Sequence, residues 1–220
     1  MRGVADRPCL PVRILRFLLY YVIAIPILYF IVLFEYGLKM RGKHNLRGLH
    51  GAVVVCNHVH PLDCAMIACT LCPRRVVFAT LKRNFRIPVA GFLIRQLCSL
   101  SVGEDLSEVR AFVEEASGLL QKGRWLCIYP EGVLHRYTPQ LMQFHSGAFH
   151  LAHRVGKPVC PLVLTKRPAR GLFRLFRLGG CFTLHILPPV DSTAFKNHHQ
   201  LACHVQQLMQ QHINSATANR

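Results

Sequence analysis

The sequence predicts an α/β protein: a mostly parallel central sheet flanked by helices, preceded by an N-terminal hydrophobic membrane helix. Three observations carry that prediction. Apolar runs rich in β-branched residues recur at 52–56, 76–80, 125–129, 159–164 and 181–187, and such runs read as strands buried on both faces. Helical patterns fall between them, the alternation that builds a parallel sheet. Ahead of them all, Phe17 to Phe34 is a stretch without a charge, interrupted by the single proline Pro26.

The N-terminal stretch is close to the roughly 20 apolar residues that a bilayer span needs. Arg2, Arg7, Arg13 and Arg16 precede it, and Lys39, Arg41, Lys43 and Arg47 follow it. With basic flanks on both sides, the positive-inside rule gives no orientation. Two arrangements stay open: a span, or a re-entrant helix kinked at Pro26 that keeps both flanks on the cytoplasmic side. A buried core helix is the plainer alternative. Residues 1–40 are thus expected to be an anchor, 41–214 a single domain and 215–220 a disordered tail.

Composition narrows the setting. The chain has 220 residues, 27 Lys and Arg against 10 Asp and Glu, and 51% hydrophobic residues. Basic and apolar together point to an anionic membrane surface. Nucleic-acid binding is the weaker reading, for want of any aromatic-plus-basic module or basic tail. The ten cysteines read as reduced. Cys56, Cys64, Cys98, Cys127, Cys160 and Cys181 lie within apolar runs, where a thiol packs as a small hydrophobe. Cys69-Thr-Leu-Cys72 is a lone pair with no second pair to complete a zinc site. A membrane-associated domain facing a reducing cytoplasm fits these observations.

After a loop at 42–51 comes the strand at 52–56, then a short helix at 62–71. Pro73-Arg-Arg breaks the chain before the strand at 76–80. Residues 89–97 read as a helix and 99–102 as a short strand. Leu106 to Gln121 is the clearest amphipathic helix, with Leu106, Val109, Val113, Ala116 and Leu120 on one face. The strand at 125–129 ends in the turn Pro130-Glu131-Gly132. Phe144 to Val155 is helical, 159–164 and 181–187 are strands, and 194–213 is the closing helix. The Arg- and Leu-rich stretch 165–178 reads either as an interfacial membrane element or as an excursion between strands.

The chemistry concentrates in Cys56-Asn57-His58-Val59-His60-Pro61-Leu62-Asp63. This loop leaves the carboxyl end of a strand and opens a helix, where α/β proteins carry their sites. With Asp63 in the first helical turn and His58 in the loop, the carboxylate can bind one ring nitrogen and leave the other basic. Such a pair can deprotonate a substrate hydroxyl directly, with no serine or cysteine nucleophile. His60 reads as a loop histidine satisfied by backbone. A metallohydrolase reading of His58-x-His60 fails because the acid follows three residues on, with Cys64 next.

Taken together, these segments resemble the glycerolipid acyltransferases, the PlsC-like lysophospholipid acyltransferase family. Asn57-His58-x4-Asp63 is similar to the first family motif, and Lys82 through Val102 to the second region. Tyr129-Pro130-Glu131-Gly132 resembles the third, Pro158-Val-Cys-Pro-Leu-Val163 the fourth, and His185-Ile-Leu-Pro-Pro-Val190 the usual last strand. The resemblance covers about residues 40–212. It implies the glycerolipid acyltransferase fold and transfer of a fatty acyl group from acyl-CoA or acyl-carrier protein to a lyso-lipid hydroxyl, without metal or cofactor. It also implies His58 as general base and Asp63 as its orienter. Asn57, Lys82, Glu131, Gly132 and Arg136 would then serve substrate binding.

Two departures bear on the acceptor. The third motif's arginine is missing from Glu131-Gly132-Val133-Leu134-His135-Arg136, and Gly103 stands where the second region usually has one. In the family both are associated with acceptor phosphate, so the headgroup stays open between lysophosphatidic acid and a differently headed lyso-lipid. A hydrolase using the same pair on water, and a non-catalytic membrane protein of this fold, are the competing readings.

Overall fold

The computed structural model describes residues 10–86, 99–103, 105–136, 138, 140–169 and 180–218. The expected helix at 89–97 and most of the 165–178 stretch lie outside them. Within them the chain runs α1 (Leu10–Leu18), a π-helical segment (Leu19–Ala24), α2 (Ile25–Phe34), β1 (Lys39–Arg41), β2 (Ala52–Cys56) and α3 (Asp63–Leu71). Then follow β3 (Val76–Leu81), β4 (Ser99–Val102), α4 (Leu106–Gln121), β5 (Trp125–Ile128), α5 (Gly147–Val155), β6 (Val159–Arg167), β7 (Cys181–Ile186) and α6 (His198–Ala218).

The strands form one sheet in the order β1-β7-β6-β2-β5-β3-β4. Every pairing is parallel except β6 with β7, which is antiparallel with Leu164 opposite Leu184. The mostly parallel sheet expected from the alternating pattern is therefore present. β2 lies between β5 and β6 and is fully buried, as an unbroken Ala-Val-Val-Val-Cys run requires.

Successive residues of β2 point to opposite faces. Ala52, Val54 and Cys56 pack with Met66, Ile67 and Leu71 of α3 and with Tyr20, Ile25 and Val32 of the N-terminal helices. Val53 and Val55 pack on the other face with Ala116 and Leu120 of α4, Phe149 of α5 and Leu201, Val205 and Met209 of α6. Each face buries an aliphatic stripe worth about 1.5–3 kcal/mol per large side chain.

The N-terminal segment is built of two helices joined by a π-helical segment. Among the described residues no helix is long and apolar enough to cross a membrane. The interruption is the π-helical turn at Leu19–Ala24; Pro26 follows it, in the first turn of α2, and has no N–H to give to the helical ladder. One side of the segment is buried on the sheet. The other exposes Phe17, Leu18, Val22, Ile23, Ile27, Phe30 and Phe34.

Some boundaries moved. β1 lies in what was expected to be the basic flank of the anchor, because Lys-Met-Arg at an edge carries no alternating signal. α5 begins at Gly147, three residues late, because the backbone at Phe144 bonds the Gln206 side chain instead of a helical turn. The closing helix spans 198–218, so residues up to Ala218 that were expected in a tail are helical. On α4, Leu106 is 80% exposed and Val109 37%, so only the later part of its apolar stripe reaches the core.

Candidate active site

β2 and β5 are parallel neighbours, so the segments following them emerge side by side at the carboxyl edge of the sheet. His58 follows one and Glu131 the other. Asp63 opens α3, and its buried carboxylate gathers the loop around it. Its Oδ2 accepts from His58 Nδ1 at 2.9 Å, from the Val59 N–H at 2.9 Å and from the His60 N–H at 3.1 Å. Asp63 Oδ1 is buried without a hydrogen-bond partner. With its Nδ1–H donated to Asp63, His58 carries its basic lone pair on Nε2. The side chain keeps 25% of its surface exposed, so the base can reach a substrate.

The Pro-Glu-Gly turn braces the same loop. Glu131 is 4% exposed, and its two oxygens accept from the His58 N–H (3.2 Å) and the Met142 N–H (3.3 Å). Burial raises its pKa, partly offset by those two donors. The His135 N–H donates to the His58 carbonyl at 2.8 Å. His58 is thus held through both its backbone groups by the 131–135 turn. Gly132 at φ +73° makes that turn, and a Cβ there would lie 3.2 Å from His145 Cδ2. Tyr129 stacks on the His58 ring with centroids 4.2 Å apart.

The remaining expected residues take distinct places. Asn57 is 2% exposed. Its Nδ2 donates to the Leu164 carbonyl (3.0 Å) and its Oδ1 accepts from the Leu164 N–H (2.8 Å), clasping the end of β2 to β6. Lys82, just past β3 on the same sheet edge, is ion-paired to Glu108. Arg136 is exposed at the end of the Glu131 turn. Gly103 cannot carry the arginine expected there, since a Cβ would lie 1.9 Å from the Cβ of Glu108. Among the described residues no group of three or more His, Cys, Asp or Glu is placed to hold a metal ion.

Tyr129, His135 and Met142 were not among the expected site residues. The signal for Tyr129 was its place at a strand end before Pro-Glu-Gly. The other two act through backbone groups, to which sequence is blind.

An α/β sheet carrying an Asp-oriented histidine and a glutamate turn at its carboxyl edge is compatible with an acyl-transferring enzyme, and the comparisons give the family. The chain belongs to the acyltransferase family, whose model, described as "Acyltransferase", matches residues 37–165. A Caenorhabditis elegans protein, acl-1, provisionally named a 1-acyl-sn-glycerol-3-phosphate acyltransferase, is 35% identical over 179 residues, 79% of this chain and 67% of its own length. The 1-acyl-sn-glycerol-3-phosphate acyltransferase of Saccharomyces cerevisiae is 29% identical over 170 residues, 70% of this chain and 52% of its own. This chain therefore spans between about half and two thirds of the length of these relatives. The crystal structure of the acyltransferase PlsC from Thermotoga maritima superposes with a TM-score of 0.68 at 22% identity, covering 94% of this chain and 88% of that one. That likeness confirms the fold.

Proposed function

We propose that the chain transfers a fatty acyl group from acyl-CoA or acyl-carrier protein to the hydroxyl of a lyso-lipid, with lysophosphatidic acid the first acceptor to test. The observation that carries the reading is the His58–Asp63 pair at 2.9 Å, braced by Glu131 through the His58 backbone. The names of the relatives support the choice of acceptor.

In this mechanism His58 Nε2 takes the acceptor's hydroxyl proton as the oxygen attacks the thioester carbonyl. Asp63 stabilises the imidazolium that forms. The tetrahedral intermediate collapses, the C–S bond breaks, and the imidazolium proton passes to the departing thiolate. The new ester and the free thiol leave, and the histidine is neutral again. The thioester is already activated, so a positioned base suffices.

The setting in this reading is a membrane surface. The exposed apolar side of α1 and α2, backed by a formal net charge of +17, suits insertion into one leaflet of an anionic bilayer with the sheet on the cytoplasmic side.

The test offers labelled acyl-CoA and acyl-carrier protein to membranes carrying wild type or His58→Ala, with and without lyso-lipids, and identifies product by mass. Acylated lyso-lipid from wild type alone is the expected result. Free fatty acid formed equally without acceptor would make the chain a thioesterase, and no product from either protein would remove the catalytic reading.

A further inference from the structure

Tyr129 is the first residue after β5, and the acyl-transfer mechanism does not use it. Its ring is stacked on the His58 imidazole, with centroids 4.2 Å apart and planes inclined by 20°. The two rings meet because β5 and β2 are parallel neighbours, so the residues just beyond them leave the sheet edge side by side. Tyr129 is itself held from behind. Its carbonyl accepts from the Gly132 N–H at 3.1 Å, in the turn that carries Glu131. Its side chain packs on the core cluster that includes Cys56 and Met66, and its hydroxyl is buried without a hydrogen-bond partner. The phenol ring is thus a fixed wall, and what it offers His58 is its π face.

His58 has its backbone fixed on both sides, its N–H bonded to Glu131 and its carbonyl to the His135 N–H. Its ring is tied at one point, Nδ1 to Asp63 Oδ2 at 2.9 Å. One such bond leaves the ring free to rock about the line from Cβ to Oδ2, and rocking swings Nε2, which lies off that line. A flat wall against one face of the imidazole removes that freedom on its side and fixes the direction of the Nε2 lone pair. The same wall responds to charge. An aromatic face is the negative part of the ring's quadrupole, so it attracts a stacked imidazolium more than a neutral imidazole. The contact is therefore strongest when the base holds the acceptor's proton. An interaction that strengthens on the way to the transition state raises kcat instead of affinity.

We propose that Tyr129 is the positioning residue of the base: its ring sets the plane of the His58 imidazole and stabilises the imidazolium through its π face. The hydroxyl takes no part. The inference rests on the acyl-transfer reading for the reaction it serves, while the stack itself is read without turnover.

The experiment uses the full chain in detergent micelles, as wild type, Tyr129→Leu, Tyr129→Phe and a series with one, two or three fluorines on a phenylalanine ring at position 129. Fluorine nearly keeps the ring's shape and drains its face of negative charge. Tyr129→Leu should lose roughly 2- to 30-fold in kcat, the range for a cation–π contact, with KM for both substrates unchanged. Tyr129→Phe, the conservative variant, should rescue that loss, and the fluorinated series should fall stepwise from it. Separately, NMR of isotope-labelled histidines, with the His58 signals assigned by their loss in His58→Ala, reads the stack directly. Its ring protons should lie upfield in wild type and Tyr129→Phe, shifted by the stacked ring current, and return to ordinary positions in Tyr129→Leu. A constant kcat across the fluorinated series overturns the proposal, as does a Tyr129→Phe variant as slow as Tyr129→Leu. So do His58 signals that are the same in wild type and a folded Tyr129→Leu. The fluorinated series keeps the test readable even if Tyr129→Leu fails to fold. Upfield His58 signals in a wild type that transfers nothing would refute the acyl-transfer reading and keep the ring in its place on His58.

Discussion

Replacing Asp63 with Asn tests whether the carboxylate's charge, as distinct from its geometry, drives the base. Asp63 Oδ2 accepts three N–H groups and Oδ1 accepts none. An asparagine with its oxygen in the Oδ2 position keeps all three bonds and the shape of the loop. Its NH2 then occupies the Oδ1 position, buried without an acceptor, at a cost of about 1–3 kcal/mol of stability. The reverse orientation would point NH2 at two backbone N–H groups, which is worse. The loop therefore survives while the imidazolium loses its ionic partner. A hydrogen bond to a charged group contributes about 1.5–3 kcal/mol, so kcat should fall at least roughly 10- to 150-fold at one decade per 1.36 kcal/mol. The assay is acyl transfer from labelled acyl-CoA to lysophosphatidic acid, with KM for both substrates measured alongside. A folded variant within about threefold of wild type in kcat, while His58→Ala is inactive, would refute the argument and reduce Asp63 to a loop anchor.

Asn57→Leu removes both bonds of the Leu164 clasp and should cost about 1–3 kcal/mol in thermal or denaturant unfolding; if Asn57 instead touches substrate, KM will rise with stability unchanged. Gly132→Ala forces a side chain into φ +73° and against His145, so it should cost about 1–2 kcal/mol and lower kcat through the displaced Glu131 brace; wild-type kcat would count against that brace. His185 has its pKa lowered to about 4 by burial, by His212 and by Arg41. The unfolded chain binds that proton near the ordinary value of about 6.5, so between 6.5 and 4 it holds more protons than the folded protein, and stability falls as pH falls. With the ring only partly buried and screened, the loss should be on the order of 2 kcal/mol, and His185→Gln should flatten the dependence of the melting temperature across that window.

The sheet was readable in the sequence because its central strands are buried on both faces and so carry unbroken apolar runs. β1 was not, since an edge strand of Lys-Met-Arg owes its pairing to β7, far along the chain. The His58–Asp63 contact was readable because five positions separate the two residues, and one loop can join them. The clasp from Asn57 to Leu164 was not, because it depends on strand order. Glu131 was visible as a motif, but its bond to the His58 backbone depends on β2 and β5 being neighbours. The N-terminal helices were visible as apolar, whereas the burial of Tyr20, Ile25 and Val32 on the sheet required the tertiary packing.

The clasp between Asn57 and Leu164 has a further consequence for the order in which the molecule can be made. Its two partners are 107 positions apart, so the closure entropy of a long loop must be met before the carboxyl end of β2 is fixed. On a ribosome, the histidine and aspartate emerge long before the strand that locks their loop. Until β6 is complete, β2 lacks one of its two neighbours. A nascent chain halted short of residue 164 should hold His58 on an unsecured loop, which is locked only in a late step as β6 docks beside β2.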